Sequence, residues 1–373
     1  MKIEFYKHSI GEEEKRNVLE CLDGIFLTTG SYVSEFENKF SEYLGLNYAV
    51  GLTSCTAALH LSLLVLGIGP GDEVITTPMT FIATVTAIIH TGAKPIFVDV
   101  EKETALINPD LIESAITERT KAILPVHLYG QMCDMKKIKE IADKHNLRIV
   151  EDAAHCIEGE RAGIKPGHLG DVACFSFYAT KNITSGEGGA IATNNKEIAD
   201  RVRLLRQHGM SKEAADRYSG VYKHWDMVEC GWKYNMDNIQ ASLLLPQLKK
   251  IDDQWQRREK VYNRYISHLS KISQIDYPKI KSDFKSAYHL FTIWVEPERR
   301  DEILRLLGEK GIGVAVNYRS IHLLTYFRET FGFKRGNIPV AESIGDKTIS
   351  IPFYPQLSDE EVEFVAEALR EII

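Results

Sequence analysis

Hydrophobic positions along the chain fall into two alternating textures. Short runs rich in β-branched residues, Glu73 to Thr77, Lys94 to Asp99, Lys121 to Val126, Leu147 to Asp152 and Val172 to Phe177, are apolar almost throughout and several close on a polar residue or a proline. Such runs predict strands buried on both faces. Between them lie stretches with helical spacing, Leu111 to Ile116 and Met135 to Lys144, the latter with Met135, Ile138 and Ile141 on one side. Strand and helix in alternation predict an α/β fold, a mostly parallel central sheet sandwiched by helices. From about Ile251 the texture changes. A charged helix at Asp252 to Ser267, a strand at Tyr288 to Val295, a helix at Arg300 to Lys310 and an acidic final helix at Ser358 to Ile373 predict a smaller α+β C-terminal domain. The expected division is therefore 1–250, a large domain with an N-terminal arm, and 251–373, with Leu243 to Trp255 as one kinked helix joining the two.

Composition narrows the function. The chain has 373 residues, 44% hydrophobic and 26% charged, enough to bury a large core. Its net charge of −7 gives no electrostatic footprint for nucleic acid or an anionic membrane. The six cysteines contain no C-x-x-C pair, so neither a zinc site nor a disulfide framework is indicated, and a reducing, cytoplasmic setting is expected. The first residues lack an apolar signal-like stretch, and Ala57 to Ile68 is too short to span a bilayer. Small-molecule substrates and a second copy of the chain are the expected partners.

Three features carry chemistry. The run Leu147 to Asp152 delivers a carboxylate to the carboxyl end of a strand, where ligand crevices of open α/β sheets lie; a capping or turn aspartate explains it equally. Lys181 follows the run ending at Phe177 and leads into Gly186-Glu-Gly-Gly189. A partly desolvated amine there would suit Schiff-base chemistry, whereas a random lysine in such a loop is solvated. An aspartate and a lysine, each after a strand and about 30 residues apart, match the pair that pyridoxal phosphate requires. Ser54-Cys55-Thr56 opens an apolar helix whose N–H groups would hold a phosphate, although a plain Ser/Thr cap accounts for the hydroxyls. The glycines fit neither a P-loop nor a dinucleotide fingerprint.

Together these blocks resemble the DegT/DnrJ/EryC1/StrS sugar aminotransferases, pyridoxal-phosphate enzymes of fold type I. The likeness runs through Leu27-Thr-Thr-Gly30, Thr53 to His60, Pro78 to Thr84, Pro95 to Asp99, Pro125 to Gly130, Glu151 to His155, Phe175 to Thr184, Gly186 to Gly189, Gly231 to Met236 and Ile351 to Pro355. The resemblance implies that Lys181 binds the cofactor and shuttles protons and that Asp152 pairs with the pyridine nitrogen. It also implies that Phe81 stacks on the ring, where core packing is the alternative, and that His155 lies beside it. Ser54, Cys55, Thr56 and Ser176 would hold the phosphate. Asn235 would reach the neighbouring subunit's site in a homodimer. Thr28, Thr29 and His322 are candidate sugar-nucleotide contacts by analogy, with turn capping and a surface histidine as the alternatives. Two departures stand out: Cys55 where many relatives have glycine, and Asp237 where threonine is frequent. Relatives with histidine at the lysine position deoxygenate sugars instead, and Lys181 argues against that.

The expected function is thus transfer of an amino group from glutamate to a nucleotide-linked keto-sugar, at C4 of a UDP-4-keto-sugar, in a ping-pong cycle with pyridoxamine phosphate as the intermediate cofactor form. C3 of a dTDP-keto-sugar or a cyclitol is the alternative within enzymes, and a non-catalytic regulator or sensor the alternative outside them.

Overall fold

A computed structural model describes residues 1–211 and 224–373. The main sheet is built from β1 (Tyr48–Leu52), β2 (Glu73–Thr76), β3 (Lys94–Phe97), β4 (Thr120–Ile123), β5 (Arg148–Asp152), β6 (Val172–Ser176) and β7 (Gly189–Thr193), in the order β1-β7-β6-β5-β4-β2-β3. From β6 to β3 every neighbouring pair is parallel, and only β7 runs antiparallel to both its neighbours. All residues of β2, β6 and β7 are buried, as a sheet covered on both faces demands.

The first eight α-helices among the described residues are α1 (Glu12–Leu22), α2 (Ser31–Leu44), α3 (Cys55–Val65), α4 (Ile82–His90), α5 (Met135–His145), α6 (Lys196–Leu205), α7 (Asn238–Lys249) and α8 (Ile251–Leu269). Helix α3 is apolar on nearly every side and lies buried against the sheet, its Ala58, Leu61 and Leu63 sharing a core with Val74, Val150, Cys174 and Ile191. The expected helix at Leu111 to Ile116 is instead two 3₁₀ turns, Pro109–Leu111 and Glu113–Ala115. Six residues are too few to repay the nucleation of an α-helix. The expected joint over Leu243 to Trp255 is two helices meeting at Lys250, whose φ of −103° and ψ of 6° break the α-helical path. Asp237 caps α7, accepting from Gln240 N at 2.8 Å while the Gln240 side chain accepts from Asp237 N. A carboxylate there performs the capping that a threonine would.

Beyond α8 come β8 (Phe291–Trp294), α9 (Arg300–Glu309), α10 (Thr325–Phe331), α11 (Pro339–Lys347), β9 (Thr348–Ile351) and α12 (Asp359–Ile372), with β8 and β9 antiparallel. The strand expected from Tyr288 begins only at Phe291, because Tyr288 takes a left-handed φ of 48° that extended backbone excludes. A separate core of Val261, Tyr265, Phe291, Ile303, Ile349 and Val365 lies here, and Ile3 inserts into it from the N-terminus, donating to Gly311 O at 2.9 Å. Among the described residues, no helix is long and apolar enough to cross a membrane.

Candidate active site

Strands β5 and β6 end side by side, and beyond their carboxyl ends opens a cavity of about 510 Å³. Asp152, the last residue of β5, forms its floor. Its Oδ2 accepts from Thr84 Oγ1 at 2.8 Å and its Oδ1 from Ala154 N at 3.1 Å. Burial pushes this carboxyl above the usual range, while Thr84, the Ala154 N–H, Lys181 and His127 pull it back toward ionisation. Helix α4 supplies Thr84, itself hydrogen-bonded to Thr80 at 2.6 Å.

Lys181 follows β6 on a tight loop closed by its own N–H donating to Tyr178 O at 2.9 Å. The half-buried side chain lines the cavity, and its amine takes no hydrogen-bond partner among the described residues. Burial lowers its pKa to about 8, with Cys55 and Asp152 acting against that shift. The amine is thus free to react and far less firmly protonated than an ordinary lysine.

The opposite wall is the N-terminus of α3. Ser54 caps the helix by accepting from Ala57 N at 3.1 Å, leaving the Cys55 and Thr56 N–H groups without intrahelical acceptors. Gly189 is pressed against this turn: a Cβ there would lie 2.3 Å from Ser54 C and 2.4 Å from Cys55 N, so only glycine permits the approach. Cys55, as the first helical residue, is not among the residues of positive φ, and nothing at its backbone requires glycine. Ser54, Cys55, Thr56 and Ser176 all line the cavity, a donor-rich cradle at the positive end of a helix.

Phe81 and His155 complete the walls. Phe81 is 55% exposed, so it is no core residue; its ring stands at the cavity 6.0 Å from that of Tyr318. His155 is buried, its Nδ1 accepting from Tyr129 N at 3.4 Å and its Nε2 lying 3.2 Å from Tyr318 Oη. Burial, Lys181 and His289 together hold its pKa well below the ordinary value, so the ring is neutral.

Thr28, Thr29 and His322 do not line this cavity. Asn235, expected at the neighbouring subunit's site rather than at this one, is buried outside it, donating to Thr29 Oγ1 at 2.7 Å, with its Oδ1 unpartnered. Thr29 in turn donates to Met236 O at 2.7 Å, and Thr28 is exposed. His322 is neither a surface histidine nor a cavity residue. It is fully buried, with Nδ1 2.8 Å from Ser320 Oγ and Nε2 3.0 Å from Glu342 Oε1, so both nitrogens are already engaged. Conversely, Thr84, His289, Asn317 and Tyr318 line the cavity without having been singled out. Thr84 lies within the block from Pro78 and was within reach of the sequence. His289 and Tyr318 arrive from more than 100 residues downstream of Lys181, with no local pattern to mark them.

The cavity fits a flat, phosphate-bearing aldehyde cofactor: an unpartnered amine, a carboxylate at the floor, an aromatic wall and a helix N-terminus converge on it. Comparison with known proteins agrees. A family model described as the DegT/DnrJ/EryC1/StrS aminotransferase family matches residues 8–370. The chain is 43% identical over 370 residues to the spore coat polysaccharide biosynthesis protein SpsC of Bacillus subtilis, covering 98% of this chain and 95% of that one. Among solved structures it superposes on Spr1654 of Streptococcus pneumoniae in its PMP form with a TM-score of 0.94, at 34% identity over 100% of this chain and 99% of the other. That protein has also been solved in its PLP form. Helicobacter pylori PseC, an aminotransferase involved in the biosynthesis of pseudoaminic acid, gives a TM-score of 0.92 at 29% identity, covering 100% of this chain and 99% of that one.

Proposed function

The chain belongs to the DegT/DnrJ/EryC1/StrS aminotransferase family, and from that premise we propose that it moves an amino group from glutamate to C4 of a UDP-linked 4-keto-sugar. It is a pyridoxal-phosphate-dependent sugar aminotransferase of fold type I. The observation that carries the site assignment is the unpartnered Lys181 amine in one cavity with the Asp152 carboxylate and the open N-terminus of α3.

Bound in this cavity, the cofactor supplies an electron-poor ring that stabilises charge on the carbon next to the transferred nitrogen. In the proposed assignment Lys181 acts first as nucleophile and then as general acid and base, and burial favours both roles by loosening its proton. Asp152 would hold the proton on the pyridine nitrogen, its charged form supported by the Thr84 hydroxyl and the Ala154 N–H. Phe81 would cover the ring face and exclude water, and Ser54, Cys55, Thr56 and Ser176 would bind the phosphate. Amino donor and sugar enter the same cavity in turn, the ping-pong order.

The involvement of SpsC in spore coat polysaccharide biosynthesis and of PseC in pseudoaminic acid biosynthesis supports a sugar acceptor. The net charge of −7 does not by itself oppose an anionic sugar nucleotide, because exposed charges beyond about a Debye length from the cavity are largely screened. The proposal extends to a homodimer with shared sites. Exposed Leu19, Leu22, Ile25 and Leu27 and exposed Trp225, Met227 and Val228 offer apolar surface for a second copy. It extends also to the cytoplasm, which suits six free thiols, five of them buried. A panel of keto-sugar nucleotides incubated with glutamate and read by product mass tests the substrate. Amination of a UDP-4-keto-sugar is expected; amination only of 3-keto dTDP-sugars or cyclitols would overturn the assignment.

A further inference from the structure

Directly behind Lys181 runs a buried polar chain that the transfer chemistry above does not use. Arg258, on α8, pairs with Glu158, and both are buried. The other Glu158 oxygen accepts from Asn182 Nδ2 at 2.7 Å, and the same nitrogen donates to Ala287 O at 2.9 Å. A backbone carbonyl can only accept, so the orientation of the Asn182 amide is fixed whatever the charge on Glu158. Asn182 Oδ1 therefore faces His289 Nδ1, 3.1 Å away, and the proton of that contact belongs to the histidine. Burial, Lys181 and Arg258 hold the His289 ring well below its ordinary pKa, so it is neutral. A neutral ring with its proton on Nδ1 carries a bare lone pair on Nε2. No group among the described residues bonds to that nitrogen, the ring lines the cavity, and its centroid lies 4.3 Å from that of the His155 ring, the two tilted by 40°.

We propose that Arg258, Glu158 and Asn182 are positioning residues that lock His289 as the Nδ1–H tautomer, so that its Nε2 serves as a fixed hydrogen-bond acceptor for an N–H or O–H donor of the incoming substrate. Two sources carry that chemistry: the ammonium of the amino donor and a hydroxyl of the sugar. Asn182 is the residue after Lys181, so the same chain ties the reactive loop to α8. The inference rests on this cavity being the reaction site, but its first test does not depend on Lys181.

The tautomer is read by ¹⁵N NMR of histidine-labelled holoenzyme, with His289→Asn identifying the ring signals. The expected spectrum shows a neutral ring protonated on Nδ1; protonation on Nε2, or a cation, overturns the proposal. Glu158→Gln keeps an acceptor for Asn182 without the charge, whereas Asn182→Leu removes the polar atoms beside Nδ1. Glu158→Gln should keep the tautomer, and Asn182→Leu should lose it. In single-turnover half-reactions, His289→Asn should raise the half-saturating concentration of one substrate by tenfold or more with little change in limiting rate. A rise for glutamate assigns the ammonium, and a rise for the keto-sugar assigns the hydroxyl. Unchanged half-saturation in both half-reactions refutes the substrate role.

Discussion

Two histidine-centred polar clusters in this molecule look alike on paper and differ in what they leave open. In one, Ser320, His322 and Glu342 form a line of hydrogen bonds at 2.8 Å and 3.0 Å, and Glu342 also accepts from Gly336 N and Ile338 N. Every donor and acceptor of the histidine is satisfied and the ring is fully buried. In the other, Asp152, His155, Lys181 and His289 surround a cavity of about 510 Å³, and the Lys181 amine and His289 Nε2 have no partner among the described residues. A serine, a histidine and a carboxylate in sequence would suggest nucleophilic catalysis, yet the closed cluster has no room for a substrate. Saturated networks hold a fold in place, and groups that chemistry needs are left with a hydrogen-bonding position unfilled.

Substitution separates the two clusters most sharply at Lys181. Lys181→Ala should reduce turnover by about 10⁴-fold or more while the circular dichroism and melting curve stay close to wild type. Retained transamination would break the comparison. Asp152→Asn keeps the shape and an acceptor for Thr84 but removes the charge, and a loss of about 10²- to 10³-fold is expected, again without unfolding. At the closed cluster the signature reverses: Glu342→Ala strands His322 and two backbone N–H groups and should cost about 3 kcal/mol of stability, read by denaturant unfolding. The folded fraction of that variant should turn over at close to the wild-type rate; a catalytic loss without a stability loss would mean that the cluster is a site after all.

The smallest expected effect is a displaced pH profile. In cofactor-free enzyme, Lys181 should react with an amine-selective reagent at a rate that rises with pH and levels off above about 8, since the neutral amine is the reactive form and its pKa is lowered to about 8. Exposed lysines continue to gain reactivity toward about pH 10.4. A Lys181 profile that still climbs steeply between about pH 9 and 10.4 would show an ordinary solvated lysine.

Much of this was legible in the chain because the site is built from strand ends. Asp152 closes one apolar run, Lys181 follows another by four positions, and Ser54 to Thr56 opens an unusually apolar helix, so local pattern alone points at them. Strands β1 and β7 are less conspicuous, since Tyr48–Leu52 and Gly189–Thr193 are rich in glycine and alanine and take their strand character from pairing with each other. Residues supplied from the far end of the chain were not legible. Tyr318 and His289 meet His155 only through tertiary packing, and the burial of His322 depends on Glu342, twenty positions on. Thr29 and Asn235 likewise bond to each other across more than 200 residues.

The central claim is that the cavity amine of Lys181 is where the cofactor is attached. Borohydride reduction of the holoenzyme followed by peptide mapping tests it most directly. The account predicts a single cofactor-bearing peptide with the modification on Lys181; a modification on any other lysine, or none on Lys181, would contradict it.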